Sequence, residues 1–260
     1  MANKTISISI IIPALNEQDD INDVITKTLK AFSDFNINGE IIVINDGSTD
    51  KTKERVTEAM ADDERVRLIN HERPQGIGAS FWDGVDNAMG DTVCMLPGDN
   101  EINPLETLRY FMLLEHVDIV IPFVYNKEVR SLFRNGLSYL YRFIVNTSFL
   151  VNFNYTNGTI IYRKSILNEL AHRSNGFFFQ TDILIRSVKK GYLFAEVPYR
   201  LYNRGSGSSK AVSFPSLVQV IKGYLRLLKE IYSDSSRIEN NFSKDSQTQL
   251  RRSQKDNDNE

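Results

Sequence analysis

Pro97-Gly98-Asp99-Asn100-Glu101 closes an apolar run, Thr92 to Leu96, that reads as a buried strand ending at the carboxyl edge of a sheet. Two carboxylates two residues apart, leaving a strand for a turn, can face the same way and share a hard divalent cation through oxygen ligands. A cation held there would offset the charge of a diphosphate. An Asp after a strand also serves as a turn former or a helix cap, and the stretch alone leaves both readings open. Asn45-Asp46-Gly47-Ser48 ends another strand, and its plain reading is a turn whose residues tolerate left-handed geometry. Asn203 to Lys210 is a glycine-serine loop with Arg204 and Lys210 near its ends. It suits a phosphate, or it is a solvated loop with incidental charges. Asp182 opens or enters a helix, where capping is the competing role. His71, His116 and His172 show no ligand spacing and read as incidental.

These residues need a scaffold, and the hydrophobic pattern supplies one. Strand-like runs are Ile6 to Ile12, Glu40 to Ile44, Arg65 to Ile69, Thr92 to Leu96, Asp118 to Phe123, Thr159 to Tyr162 and Leu193 to Val197. Between them, Ile21, Val24, Ile25, Leu29 and Phe32 recur at helical spacing, as do Ile77, Trp82, Val85 and Met89. Asp50 stands where it could cap one helix, and Pro104 where another starts. Strands alternating with helices imply a mainly parallel sheet whose ligands bind beyond the strands' carboxyl ends. Asn16, Glu17, Asp46, Asp99 and Glu101 all fall at that edge. Gly76-Ile77-Gly78 lacks the full dinucleotide fingerprint and reads as a helix entry.

Composition narrows the function classes. A length of 260 residues with 41% hydrophobic content allows one large α/β domain, and a net charge of −2 gives no global field for nucleic acid. The one cysteine, Cys94, lies in a strand and excludes a disulfide framework. No signal peptide of the usual layout and no apolar run of about 20 residues is present, so a cytoplasmic protein is expected. Ser131 to Phe153 is a strongly apolar helical stretch with Arg134 and Arg142, and Phe214 to Tyr232 repeats its apolar residues at helical spacing beside Lys222, Arg226 and Lys229. Either stretch could lie in a membrane interface or pack on the sheet, and the first also suits a dimer contact. Beyond Tyr232 the chain is polar and reads as a disordered tail.

The segments Ile11-Ile12-Pro13-Ala14-Leu15-Asn16-Glu17, Val43 to Asp50 and Pro97 to Glu101, in that order, resemble the GT-A domain of family-2 inverting glycosyltransferases. Thr156 to Ser165, Phe179-Gln180-Thr181-Asp182 and Glu196-Val197-Pro198-Tyr199 are similar to dolichyl-phosphate mannosyltransferase and its polyprenyl-phosphate relatives. The loop Arg204 to Lys210 resembles that branch's Arg…Gly-Glu-Ser-Lys ending, with Ser208 in place of Glu.

The resemblance implies an α/β fold of GT-A (Rossmann-like) type, a mainly parallel sheet with helices on both faces. It spans about 1–210, with a nucleotide-binding part to about 125 and an acceptor part from 126 to 210. An amphipathic helix at 211–232 and a disordered tail at 233–260 follow. It implies a UDP- or GDP-sugar donor lying against Pro13, Ala14, Glu17, Asp46 and Asp99. Arg204 and Lys210 would hold phosphate. Asp99 and Glu101 would hold Mg²⁺ or Mn²⁺, although Pro97 stands where the branch has an Asp, and Asn45 where the family usually has another. The implied acceptor is a polyprenyl phosphate at the inner membrane face, with a saccharide hydroxyl as the alternative acceptor and a catalytically degraded nucleotide-binding domain as the alternative to an enzyme. Asp182 is the base for a hydroxyl acceptor, or a positioning group for a phosphate that is already ionised.

Overall fold

β-Branched residues crowd the first two strands because both faces of a parallel sheet are covered. The computed structural model describes residues 7–126, 132–201, 214–233 and 241–258. In chain order the elements are β1 (Ser7–Ala14), α1 (Ile21–Asp34), β2 (Asn38–Asp46), α2 (Thr52–Asp62), β3 (Val66–His71) and α3 (Ile77–Asn87). They continue with β4 (Thr92–Met95), α4 (Pro104–Leu108), a 3₁₀ turn (Phe111–Glu115), β5 (Ile119–Val124), α5 (Leu132–Phe149), β6 (Ile161–Arg163) and α6 (Lys164–Asn168). Last come α7 (Phe179–Lys190), β7 (Phe194–Tyr199), α8 (Phe214–Ser233) and α9 (Gln247–Asp258).

The strands form a seven-stranded sheet in the order β3-β2-β1-β4-β6-β5-β7. The β2–β3, β1–β2, β1–β4 and β5–β7 pairs are parallel, and β6 runs antiparallel to β4 and β5. The α/β architecture expected from the sequence is therefore present. Ile8, Ile10 and Ile12 of β1 join Val43, Cys94 and Val120 on the face covered by α1, α2 and the 3₁₀ turn. Ile11 joins Ile42, Ile44, Val93 and Met95 on the face covered by α3, α5, α7 and α8. A one-residue slip would exchange these two sets, so the alternation fixes register. Cys94 is core, as expected, and burial pushes its thiol up, out of the reactive range.

The tail corrects an expectation. Residues 241–258, read from composition as disordered, pack on the amino edge of β5 and β7. Phe242 is buried, its ring 5.2 Å from that of Tyr192. Asp118, fully buried, accepts from the Gln247 N–H at 2.6 Å, the Thr248 N–H at 3.1 Å and the Thr248 hydroxyl. A distant carboxylate thus caps α9, whose polar sequence would not hold a helix alone. Arg163 Nε lies 3.3 Å from the same carboxylate.

α5 and α8 cover one face of the sheet but do not bury all their apolar residues. α5 buries Val145 and Phe149 and leaves Leu132, Leu137, Tyr139, Leu140, Phe143 and Ile144 exposed. α8 buries Leu227 and leaves Leu217, Ile221 and Leu225 exposed. The helices meet where Ser148 Oγ and Tyr224 OH lie 2.6 Å apart and Tyr232 OH donates to Ser148 O at 2.6 Å.

Candidate active site

Strand order reverses between β1 and β4, the position where open α/β sheets bind ligands. Register carries the acidic turn there. Leu96 N–H donates to Ile11 O at 2.9 Å and Gly98 N–H to Pro13 O at 3.3 Å, so the chain beyond β4 runs beside Pro13 and Ala14. Pro97, between these two donors, needs no N–H toward β1, which makes proline compatible with a position where the resembled branch has Asp. Asp99 Oδ1 accepts from the Glu101 N–H at 3.2 Å, so Asp99 does form the expected turn, and both carboxylates are half-buried at the edge. Asn100 between them sits at φ 55°, with Lys27 Nζ donating to its Oδ1 at 2.8 Å and its Nδ2 donating to Asp23 Oδ2 at 3.3 Å. α1 thereby ties down the turn.

The loops after β1 and β2 are knitted together. Asn16, at φ 58°, donates its N–H to Ser48 Oγ at 2.9 Å and accepts from the Thr49 N–H at 2.8 Å. The N–H of Glu17 donates to Thr52 Oγ1 at 2.8 Å. Asp50 accepts from the Thr52 N–H and hydroxyl and from the Gln18 N–H, so it takes up a donor at the start of α2 although Lys51, not Asp50, stands at the N-cap. Burial would raise its carboxyl, but these hydrogen bonds outweigh it and hold the group below its usual range. Asn45 Nδ2 donates to Asn70 Oδ1 at 2.6 Å while Asn45 Oδ1 accepts from the Ser48 N–H. A carboxylate at position 45 could not make the first of these bonds.

Asp46 ends β2 and is buried. Its Oδ1 lies 2.8 Å from His71 Nδ1 and accepts from the Gln75 N–H at 2.7 Å, and its Oδ2 accepts from the Gly76 N–H at 2.9 Å. His71 Nε2 lies 2.9 Å from Asp83 Oδ2 on α3. His71 is thus not the incidental residue its spacing suggested. It ends β3 in register with Asp46, a pairing visible only once β3 is extended past Ile69. Gly47 permits the turn, at φ 71°, and a Cβ added there would meet the Arg73 backbone at 2.7 Å.

Asp182 lies in the first turn of α7, 1% exposed, with its oxygens on Arg186 Nε at 3.0 Å and Nη2 at 3.3 Å. Arg186 also pairs with Glu230 of α8. Burial disfavours the Arg186 charge, but the two carboxylates outweigh it and raise the guanidinium, while Arg186 holds Glu230 low against its own burial. Capping is not the role of Asp182, since Phe178 precedes α7 and makes no side-chain cap. The segments around Asn157 and Asp182 do converge: Gln180 Nε2 donates to Gly158 O at 2.8 Å, and Thr181 Oγ1 meets Thr156 Oγ1 at 3.1 Å and Tyr141 OH at 2.8 Å. Burial pushes the Tyr141 phenol up to about 12. Arg204 and Lys210 lie outside the described residues. Among the described residues no group of three or more His, Cys, Asp or Glu side chains is placed to hold a metal unaided.

The family described as Glycosyl transferase family 2 matches residues 9–171. An undecaprenyl-phosphate 4-deoxy-4-formamido-L-arabinose transferase of Edwardsiella ictaluri is 27% identical over 210 residues, covering 80% of this chain and 64% of that protein. An uncharacterized glycosyltransferase of Synechocystis is 31% identical over 100 residues, 38% of this chain and 31% of that one. These matches span less than two thirds of the relatives' lengths. Glucosyl-3-phosphoglycerate synthase from Mycobacterium tuberculosis, solved with Mn²⁺, UDP and phosphoglyceric acid, superposes with a TM-score of 0.65 at 22% identity, covering 86% of this chain and 78% of that one, and this likeness shows the fold. With the family match running over well more than half its length, the chain belongs to glycosyl transferase family 2.

Proposed function

We propose that this chain is an inverting glycosyltransferase that moves a sugar from a UDP- or GDP-linked donor onto a polyprenyl phosphate. One observation carries the reading: the acidic turn Asp99–Glu101 leaves β4 beside Pro13 and Ala14 at the strand-order reversal, with Asp46 across β1. Asp99 and Glu101 suit Mg²⁺ or Mn²⁺ as a pair rather than a cage, because such cations are commonly held by one or two carboxylates together with substrate phosphates. When bound, the cation offsets charge growing on the departing diphosphate. In this reading Pro13, Ala14, Glu17 and the fixed Asp46 carboxylate receive the nucleoside, and Arg204 and Lys210 serve phosphate.

Transfer forms a bond from an acceptor oxygen to the anomeric carbon as the bond from that carbon to the diphosphate breaks, inverting the centre. A phosphate acceptor is already ionised and gives up no proton. The geometry of Asp182 favours this choice, since both its oxygens are engaged by Arg186, which suits a positioning role. The lipid acceptor is also supported by the undecaprenyl-phosphate relative and by the exposed apolar residues of α5 and α8, beside which Lys222 and Lys229 stand exposed. Among the described residues no helix is long and apolar enough to cross a membrane, so contact through these faces would be interfacial.

The test incubates the purified chain with UDP- and GDP-sugars, Mn²⁺ and polyprenyl phosphate, following nucleoside diphosphate release and glycolipid formation with and without EDTA. Glycolipid formation abolished by EDTA is expected. A folded protein that neither binds nor consumes any donor would point to a degraded domain. Asp182→Asn separates the acceptors, being mild with phosphate and severe with a saccharide hydroxyl.

A further inference from the structure

We propose that His71 is a positioning residue that fixes Asp46 as the nucleoside-recognising carboxylate of the donor pocket. The inference rests on the nucleoside-diphosphate reading above and adds to it a residue on β3. The His71 ring is buried between two carboxylates, at 2.8 Å from Asp46 and 2.9 Å from Asp83. Each ring nitrogen thus faces a carboxylate oxygen, and the two contacts together hold the ring in one orientation between β2 and α3. Asp83, on α3 and 44% exposed at its side chain, anchors the outer nitrogen.

The consequence for Asp46 is geometric. Its Oδ1 takes His71 and the Gln75 N–H, and its Oδ2 takes the Gly76 N–H. A carboxylate oxygen has two acceptor directions, so among the described contacts Oδ2 keeps one for a ligand. The placement of the strand ends points to a nucleoside. Asp99 follows β4 and Asp46 ends β2, with β1 between them. Neighbouring strands lie about 4.8 Å apart, so a donor whose diphosphate sits over the acidic turn has its nucleoside roughly 10 Å away, over β2. Asp46 there would accept from a base N–H or a ribose hydroxyl. Without His71 the carboxylate keeps the Gln75 and Gly76 N–H groups but loses its one side-chain partner on β3, and with it the tie through the imidazole to Asp83 on α3.

The test is calorimetry with Mn²⁺ and two probes: inorganic pyrophosphate, and whichever of UDP or GDP the wild type binds. His71→Ala should weaken nucleotide binding about tenfold and leave pyrophosphate unchanged, because pyrophosphate has no base or ribose. His71→Asn, whose amide can reach the position of Nδ1, should restore most of the affinity. Should His71→Ala fail to fold, Asp83→Ala on its partly exposed site carries the test, with about a threefold loss for nucleotide alone. Nucleotide affinity within twofold of wild type, or pyrophosphate weakening in parallel, overturns the inference while leaving the donor reading intact. A wild type that binds neither UDP nor GDP overturns the donor reading itself.

Discussion

Replacing Leu140, Phe143 and Ile144 together by serine tests whether α5 meets a lipid surface. These side chains are 52%, 56% and 42% exposed, so serine removes apolar surface without opening a core cavity. Full burial of such a side chain is worth about 1.5–3 kcal/mol, and roughly half of that surface remains to be covered. Three residues therefore amount to about 3 kcal/mol, or roughly a hundredfold in partitioning. The assay is sedimentation with vesicles rich in anionic lipid, titrated to give a partition coefficient, alongside a thermal melt. The triple variant should partition about a hundredfold more weakly, and its melt should remain cooperative but shift down, because the covered half of each side chain is lost from folding. Met112→Ser, also on an exposed residue but in the 3₁₀ turn on the opposite face of the sheet, should change nothing. Added salt should weaken binding further through Lys222 and Lys229, each worth about 1 kcal/mol at an anionic surface. A wild type that stays in the supernatant, or a triple variant that sediments equally, refutes the reasoning.

Asp118→Ala leaves Arg163 buried without its carboxylate and α9 without its cap, so about 3–5 kcal/mol should be lost, lowering the melting temperature by roughly 10 °C. A calorimetric scan unchanged by this substitution would mean that the tail docks some other way. Glu40 accepts from Ser9 Oγ at 2.6 Å, the Met89 N–H at 2.6 Å and Arg67 at 2.7 Å. Burial raises its carboxyl, but these bonds outweigh it and hold the group below 4.5. Its contribution is then full above 4.5 and is lost as pH falls through the lowered value. Glu40→Gln should cost about 1–2 kcal/mol at pH 7, with urea midpoints of the two proteins converging in acid; a gap that persists there contradicts the assignment. Asp99→Asn should weaken Mn²⁺ binding at least about tenfold by electron paramagnetic resonance, and an affinity within twofold of wild type would remove the turn from the cation site.

The sheet was legible because strands buried on both faces read as continuous β-branched runs, as Ile8 to Ile12 and Ile41 to Ile44 do. What could not be read depends on partners far along the chain. The direction of β6 is set by its pairing with β4 and β5, which a run of three strand residues does not encode. The order of residues 241–258 depends on a carboxylate 129 and 130 residues away and on a single Phe242, whereas local composition reports only polarity. That Pro13, Asp46 and Asp99 stand at the carboxyl edge was legible because strand ends mark it. His71 was not, because its chemistry comes from Asp46 across the sheet and Asp83 on the helix, 25 and 12 residues away.

The proposed acceptor end of the site follows the same logic with charge in place of register. Asp182 is nearly inaccessible, and an isolated carboxylate there would carry a large desolvation cost, so a cation must accompany it. Arg186, one helical turn on, is that cation, and Glu230 reaches the same guanidinium from α8. α8 is also the helix whose outer side exposes Leu217, Ile221 and Leu225. One helix therefore carries both an apolar outer stripe and a carboxylate bound to the partner of Asp182. A lipid phosphate reaching the site past α8 would bring negative charge toward a guanidinium already shared by two carboxylates. Arg186 can attract that phosphate only to the extent that Glu230, the more exposed partner at 41%, gives way, whereas Asp182, at 1%, has no route to solvent and stays paired. The burial difference thus makes Asp182 the fixed member of the network and Glu230 the exchangeable one, an arrangement that suits binding an anion more than abstracting a proton.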